Sequence, residues 1–408
     1  MWRMSDITPA RPPRRFLDRR SPPHVVTLIA LSALAALTMN IFLPSLPGMT
    51  AWFDTDYRLM QLSVALYLGV NALLQLFIGA ISDRFGRRPV LLGGVALFLV
   101  ATLGCLVAGN VWVFLGFRMM QATIVAGMAL SRAVVRDMVP EREAASMIGY
   151  FTMGMAVAPM IGPAIGGALD AAFGWQASFV VLFAMGALVL ILTWADLGET
   201  APQGGGGFGA QMRGWPELLS SPRFWGYSVT LGLSSGAFFA YLGGAPYVGD
   251  QVFAMPPEVF GLFFGAPAVG YFLGNFISGR FSVRFGVNRM VLVGTLISAG
   301  GVALNLGLFS LGLGTPESFF GLMSCVGLGN GMVIPNATAG ALSVRPQLAG
   351  TAAGLSGALM IGMGAALSAL AGALLTPGSG ALPLLWIMVV TALGATLAIA
   401  LVIRRAGR

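Results

Sequence analysis

The chain has 408 residues, 57% of them hydrophobic and 9% charged, with a mean hydropathy of +0.83. A soluble domain carries about 25% charged residues, so this surface cannot be covered against water, and disorder, which needs a polar chain, is excluded as well. All 23 cations are Arg and none is Lys, which excludes a GxxxxGK[ST] phosphate loop and Lys Schiff-base chemistry. The single His24 and the two isolated cysteines, Cys105 and Cys325, supply no transition-metal ligand set.

A helix needs about 20 mostly apolar residues to cross the hydrocarbon core. Twelve such runs follow one another at roughly 24–47, 58–81, 88–108, 111–136, 144–169, 175–195, 222–246, 258–281, 288–310, 317–342, 347–374 and 381–403. Gly and Pro recur inside them, as membrane helices tolerate. Residues 1–23 hold six Arg ahead of the first run, and no small-residue cleavage site follows it, so an uncleaved anchor is expected rather than a signal peptide. The longest interior connection contains four consecutive glycines from Gly204 to Gly207, a flexible linker. The expected organisation is a tail (1–23), a six-helix bundle (24–196), a linker (197–221), a second six-helix bundle (222–403) and a short tail (404–408). The fold class is an all-α integral membrane protein of twelve helices in two pseudo-symmetric bundles.

Cytoplasmic loops retain Arg. With the N-terminus inside, 21 of the 23 arginines fall on the internal face, and only Arg58 and Arg118 do not. The external loops hold acids instead: Asp54, Asp56, Asp170, Asp250, Glu258 and Glu317. Both termini are therefore expected in the cytoplasm. The basic pI follows from topology, and no nucleic-acid partner is implied.

The two halves repeat. At an offset of 200, Gly79, Ser82, Arg84, Phe85, Gly86, Leu92 and Gly94 meet identical residues, seven in sixteen positions. Two parallel halves with a site between them at mid-membrane is a common transporter layout. The loop after the second run reads Gly79-x-x-x-Asp83-Arg84-Phe85-Gly86-Arg87-Arg88. Gly86 permits a tight turn. Asp83 can accept bonds from Arg or from a helix N-terminus and so latch the halves in one state. A plain positive-inside stop signal would need the Arg but neither Asp nor Gly. The second copy has Val283 in place of Asp83, so any latch there is weaker.

These residues resemble the GxxxDRxGRR hallmark of the major facilitator superfamily, matched by Gly79, Asp83, Arg84, Gly86, Arg87 and Arg88. The resemblance extends over the whole chain through the twelve runs, the repeat and the linker. In the fifth run, Gly154 and Pro159 precede Gly162-Pro163-Ala-Ile-Gly166-Gly167, which looks like the antiporter signature of drug-exporting members. Physically, Pro weakens the helix ladder and Gly allows close helix packing. Asn40-Ile-Phe-Leu-Pro44, Arg118-x-x-Gln121 and the Arg132 to Asp137 segment look like the Bcr/CflA (bicyclomycin/chloramphenicol resistance) branch of drug:proton antiporters. Two positions depart from it. Ala122 replaces the usual Gly, and Asn40 stands where the branch often has a titratable Asp.

Arg118 lies about seven residues into its run, roughly 10 Å from the external surface. A charge at that depth faces a cavity or a partner, or neighbouring carbonyls; the resemblance implies a part in proton or substrate coupling, with Gln121 and Asn40 as further candidates. No Asp or Glu sits deep in a run, so proton coupling must use an edge acid, Asp137 or Asp170, or competition around Arg118. Tyr67, Asn71 and Gln75 share one helix face, and Tyr271 and Asn275 repeat the last two positions 200 residues on. With Phe238, Tyr241, Asn330 and Asn336 they are the candidate substrate contacts, each equally able to bond a neighbouring helix. A cavity with Arg118 and no carboxylate favours neutral, zwitterionic or weakly anionic drugs over lipophilic cations.

The leading expectation is an inner-membrane exporter of small drug-like compounds. It would work as a monomer in the lipid bilayer, run on the proton gradient and use no cofactor. Uptake or export of a metabolite is the alternative within the same fold. An integral-membrane enzyme or receptor is the alternative of another class. It lacks support, because one His and no deep acids offer no nucleophile–base pair.

Overall fold

The computed structural model describes residues 16–19, 23–138, 161–200 and 215–406. We number the spanning helices α1 (Val25–Trp52), α2 (Tyr57–Phe85), α3 (Arg87–Leu106), α4 (Val111–Met120 continued by Val125–Met138), α5 (Ile161–Phe173), α6 (Gln176–Asp196), α7 (Pro222–Tyr247), α8 (Pro257–Phe285), α9 (Val287–Ser310), α10 (Pro316–Leu342), α11 (Ala349–Leu374) and α12 (Leu382–Ala406). Ten of them are long and apolar enough to cross a membrane by length and composition. The described part of α5 is shorter, and α7, 26 residues long, is diluted by Gly and Ser. Leu97, Leu188, Phe276 and Leu397 lie exposed along the outer faces, as expected of side chains whose solvent is lipid.

Breaks in the helices sit where the sequence weakens the backbone ladder. In α1 a 3-10 turn, Leu43–Ser45, carries Pro44 and is followed by Pro47. In α4 a 3-10 turn, Gln121–Ile124, begins three residues after Arg118. Beyond Pro246, α7 passes into a π-turn, Val248–Val252. Between α2 and α3 the chain turns at Gly86, φ 95° and ψ 150°, whose N–H donates to Ser82 O at 2.9 Å. Between α8 and α9 it turns at Gly286, φ 83° and ψ 154°, with the same 2.9 Å bond to Ser282 O. A side chain is strained at such φ, so both copies of the repeat need glycine there, and the internal sequence match is also a match of backbone shape.

The buried side chains form three clusters, and their distribution gives the molecule its two ends. Where α2 begins at Tyr57 and α7 finishes, one cluster runs through both sets of six helices. It joins Phe42, Leu46 and Met60 to Tyr241, Phe264 and Phe320. Toward Gly86 and Gly286 the core divides. Leu28, Leu91, Ile124 and Leu182 pack within α1, α3, α4 and α6. Phe224, Val291, Val333 and Ile399 pack within α7, α9, α10 and α12. The first six helices and the last six thus share one core at the Tyr57 end, and toward the Gly86 end the described buried residues form one core in each half, with Leu76 of α2 packed against the second.

Candidate functional site

A cavity of about 240 Å³ lies between the two sets of helices, bounded by α1, α2 and α4 on one side and α7, α8, α10 and α11 on the other. Five of the side chains singled out from the sequence line it: Tyr67, Asn71, Phe238, Tyr271 and Asn330. Asn71 and Tyr271, related by the 200-residue repeat, contribute from opposite sides. Among the described residues no charged side chain lines the wall. Asn330 Oδ1 accepts from Ser234 Oγ at 2.7 Å, which orients its amide.

Four others lie off the wall. Gln75 donates to Asn71 Oδ1 at 2.9 Å and so orients that amide from one turn away. Tyr241 is buried behind the cavity, its ring stacked on Phe264 at 4.9 Å and its hydroxyl donating to Phe264 O at 3.1 Å. Asn275 donates to Tyr271 O within its own helix. Asn336 links α10 to α8 through Ser278 Oγ at 2.8 Å. Phe239, which the sequence also offers beside Phe238, lines the cavity as well, whereas Met39, Met128, Ser235, Met360 and Ile361 on the wall were not read from the sequence. In a chain that is 57% hydrophobic, one more Met or Ile carries no local mark.

Arg118 is 1% exposed and is not on the wall; Tyr67, which is on it, lies between. Its guanidinium donates to Gln121 Oε1 at 2.7 Å, Thr38 O at 2.9 Å and Ser63 O at 3.4 Å. It also stands 4.2 Å from the Tyr67 ring centroid and 4.3 Å from that of Phe42. Gln121 in turn donates to Thr102 Oγ1 at 2.8 Å. Carbonyl dipoles and two ring faces thus solvate the cation in place of a carboxylate. Asn40 is buried at the Asn40 break of α1. Its Nδ2 donates to Ala36 O at 3.0 Å, and its Oδ1 has no partner among the described residues.

Of the edge acids, Asp137 belongs to the last turn of α4, and its side chain lies outside the described residues. Asp170 is half-buried near the Tyr57 end of α5, with Ser45 of α1 and Glu258 of α8 as its polar neighbours. A third acid is buried although it does not lie deep in a run. Asp196, closing α6, is 0% exposed and accepts from Leu17 N at 2.8 Å, His24 N at 2.7 Å and Thr27 Oγ1 at 2.6 Å. It sits at a helix end, so it holds the N-terminal segment and does not enter the cavity.

Gly154 and Pro159 fall outside the described residues. The rest of that motif packs α5 between two neighbours. A Cβ on Gly162 would lie 3.2 Å from Leu37 of α1, one on Gly166 would overlap Ile41 O, and one on Gly167 would overlap Pro257 O of α8. Glycine is required at the last two positions because the facing atoms are backbone and cannot rotate away.

At the Gly86 loop, Asp83 Oδ1 is 2.6 Å from Arg87 Nη1, one turn along the same segment. Arg87 also reaches Ser82 Oγ. Glu199, just past α6, accepts from Arg87 N at 2.8 Å and Arg88 N at 3.3 Å and so caps α3. Gly79 has open space around it, and Arg84 stands 5.4 Å over the Phe85 ring.

Only at the Tyr57 end do hydrogen bonds join the two sets of helices among the described residues. Tyr57 Oη donates to Gly243 O at 2.9 Å. Gln61 Nε2 donates to Ser368 O at 2.6 Å and Ser368 Oγ at 2.9 Å. Gln61 fits because Gly243 and Gly372 face it; a Cβ on Gly372 would come within 2.6 Å of its Cδ. Among the described residues, the hydrogen bonds that close the cavity between the two repeated halves all lie at the Tyr57 end.

The family model described as Major Facilitator Superfamily matches residues 28–358. The chain belongs to the major facilitator superfamily. It is 32% identical over 377 residues to the "Uncharacterized MFS-type transporter YdgK" of Bacillus subtilis (strain 168), covering 90% of this chain and 92% of that protein. It is 30% identical over 334 residues to the "Chloramphenicol resistance protein" of Pseudomonas aeruginosa, covering 80% and 78%. The latter fits the Bcr/CflA branch that the sequence motifs resemble. Among solved structures, a bacterial homologue of the human lysosomal transporter Spinster, in an inward-facing and occupied conformation, superposes with a TM-score of 0.70 at 18% identity, covering 94% and 96%. The chain therefore has the superfamily fold and is a multi-pass membrane transporter for a small molecule.

Proposed function

We propose that this transporter exports small drug-like compounds, neutral or weakly charged, in exchange for protons entering from the outside. The observation that carries the reading is the cavity: aromatic and Met-rich, oriented by a few amides, and with no charged side chain on its described wall. Burying a neutral amphipathic guest against such a wall costs far less desolvation than burying a charge, and the wall offers a lipophilic cation no counter-charge. The likeness to a chloramphenicol-resistance protein supports the same class of compound.

The placement of 21 of 23 arginines supports a cytoplasmic Gly86 end and cytoplasmic termini in the bacterial inner membrane. On that reading the seam at Tyr57 and Gln61 closes the periplasmic side, and the state is inward-facing. Alternating access is the rocking of 24–196 against 222–403 about the 197–221 linker, in a monomer. Asp83, now bonded within its own loop, is free to exchange Arg87 for a partner on the other half when the cytoplasmic side closes. Gly162, Pro163, Gly166 and Gly167 keep α5 close to α1 and α8 in the periplasmically closed state. Coupling is assigned to the Arg118–Gln121–Asn40 region and the edge acids Asp137 and Asp170. The proton gradient is the energy source, and no cofactor takes part.

A drug-susceptibility panel in an efflux-deficient host tests this reading. Expression should raise tolerance to amphenicols, and a protonophore should abolish energy-dependent efflux of the same drug. An unchanged panel on a well-expressed protein defeats the proposal.

A further inference from the structure

A second cavity, about 720 Å³, opens at the Gly86 end between the first turns of α7 and the last turns of α12. It is unrelated to the central cavity. Its mouth carries Arg223 and Arg405, and its floor is Gly226 and Val229 on α7 with Ala398 and Leu401 on α12. On each helix these residues recur at three or four positions, so they form two facing stripes with the cations at the same end. The floor extends roughly 10 Å from the arginines toward mid-membrane, at 1.5 Å per residue.

The charge is one-sided. No Asp or Glu lines the groove among the described residues, and neither Arg223 nor Arg405 has an ion pair among them. Glu217, the acid of the short helix Trp215–Leu219, is engaged by Arg345 at 2.6 Å. Trp225 lines the mouth, its indole N–H fixed on Leu219 O at 2.7 Å, and is 38% exposed. Such an indole sits at the level of lipid headgroups. The closeness of the helices is set by Gly226, where a Cβ would overlap Val402.

We propose that this groove is a binding site for one anionic glycerophospholipid. Its phosphate is held by the guanidiniums of Arg223 and Arg405, and an acyl chain lies along Gly226, Val229, Ala398 and Leu401. Guanidinium forks match phosphate oxygens, and basic pockets between spanning helices on the cytoplasmic side suit anionic headgroups. An apolar floor continuous with a basic mouth fits a lipid better than a free anion. The site does not depend on what the central cavity carries.

The test is titration of phosphatidylglycerol into delipidated full-length protein, read by native mass spectrometry. Removing both headgroup contacts in an Arg223→Gln/Arg405→Gln variant should weaken the first binding event by about thirtyfold. An Arg284→Gln/Arg289→Gln variant, which removes equal charge elsewhere, should bind as the wild type does. Equal binding by all three proteins overturns the proposal. So does displacement of the lipid by glycerol 3-phosphate at comparable concentration, which would mark a free-anion site. If the first variant does not fold, Ala398→Trp keeps both arginines and fills the floor; it should weaken phosphatidylglycerol binding, and unchanged binding overturns the proposal equally.

Discussion

Replacing Gln61 by Ala should shift the transporter toward its outward-facing state. Gln61 crosses from α2 to α11 with two hydrogen bonds to Ser368, and it is 1% exposed. A buried bond of this kind contributes about 0.5–1.5 kcal/mol net. Gln61 Oε1 has no partner among the described residues, and removing it recovers part of that cost. The loss is therefore about 1–2 kcal/mol, felt only in the state where α2 and α11 meet at this level. That changes the ratio of inward- to outward-facing molecules by about five- to thirtyfold. Spin labels on Trp52→Cys and Leu311→Cys, exposed residues of the two halves at the Tyr57 end, report the change as a distance distribution. They would be placed in a Cys105→Ser/Cys325→Ser background, which removes the two native cysteines. The Gln61→Ala protein should populate longer distances. An unaltered distribution would refute the assignment of Gln61 as the periplasmic clasp.

Three further outcomes follow from the geometry. Asp83→Asn should cut drug tolerance toward that of the empty host with no loss of protein in the membrane, because it weakens the exchangeable partner of Arg87; unchanged tolerance rules out the latch. Arg118→Lys should not act as a conservative change, since an ammonium cannot reach Gln121, Thr38 and Ser63 from one position. It should cost about 1–3 kcal/mol, visible as a lower melting temperature in detergent, and wild-type melting and efflux would contradict this packing. Asp196→Ala should release the N-terminal segment, where Arg19 now stands 3.5 Å over the Trp194 ring. Limited trypsin digestion should then cut after Arg19 several times faster, and an equal rate would show that Asp196 does not hold it.

The order of helices was readable because crossing lipid demands long apolar runs, and the glycine turn at Gly86 because its copy recurs at Gly286. Tyr67, Asn71, Tyr271, Asn330 and Phe238 were readable as cavity residues because polar and aromatic groups stand out inside such runs. The same signal pointed to Tyr241 and Asn336, although they bond to Phe264 and Ser278 away from the wall. Polarity inside a span marks a partner but does not say whether that partner is a guest or another helix. Gln61, Glu199 and Asp196 were not found because their partners lie 307, 112 and up to 179 residues away in sequence. Arg118 was found for its depth, but the carbonyls of Thr38 and Ser63 that solvate it have no sequence signature.

The most direct measurement is energised accumulation of drug in inverted membrane vesicles, with chloramphenicol and ethidium compared side by side on the same preparation. Vesicles bearing the protein should accumulate chloramphenicol above vesicles lacking it, lose the accumulated drug when a protonophore collapses the gradient, and take up ethidium less. No accumulation of chloramphenicol, or ethidium accumulated equally or better, would contradict an uncharged cavity that exports neutral compounds.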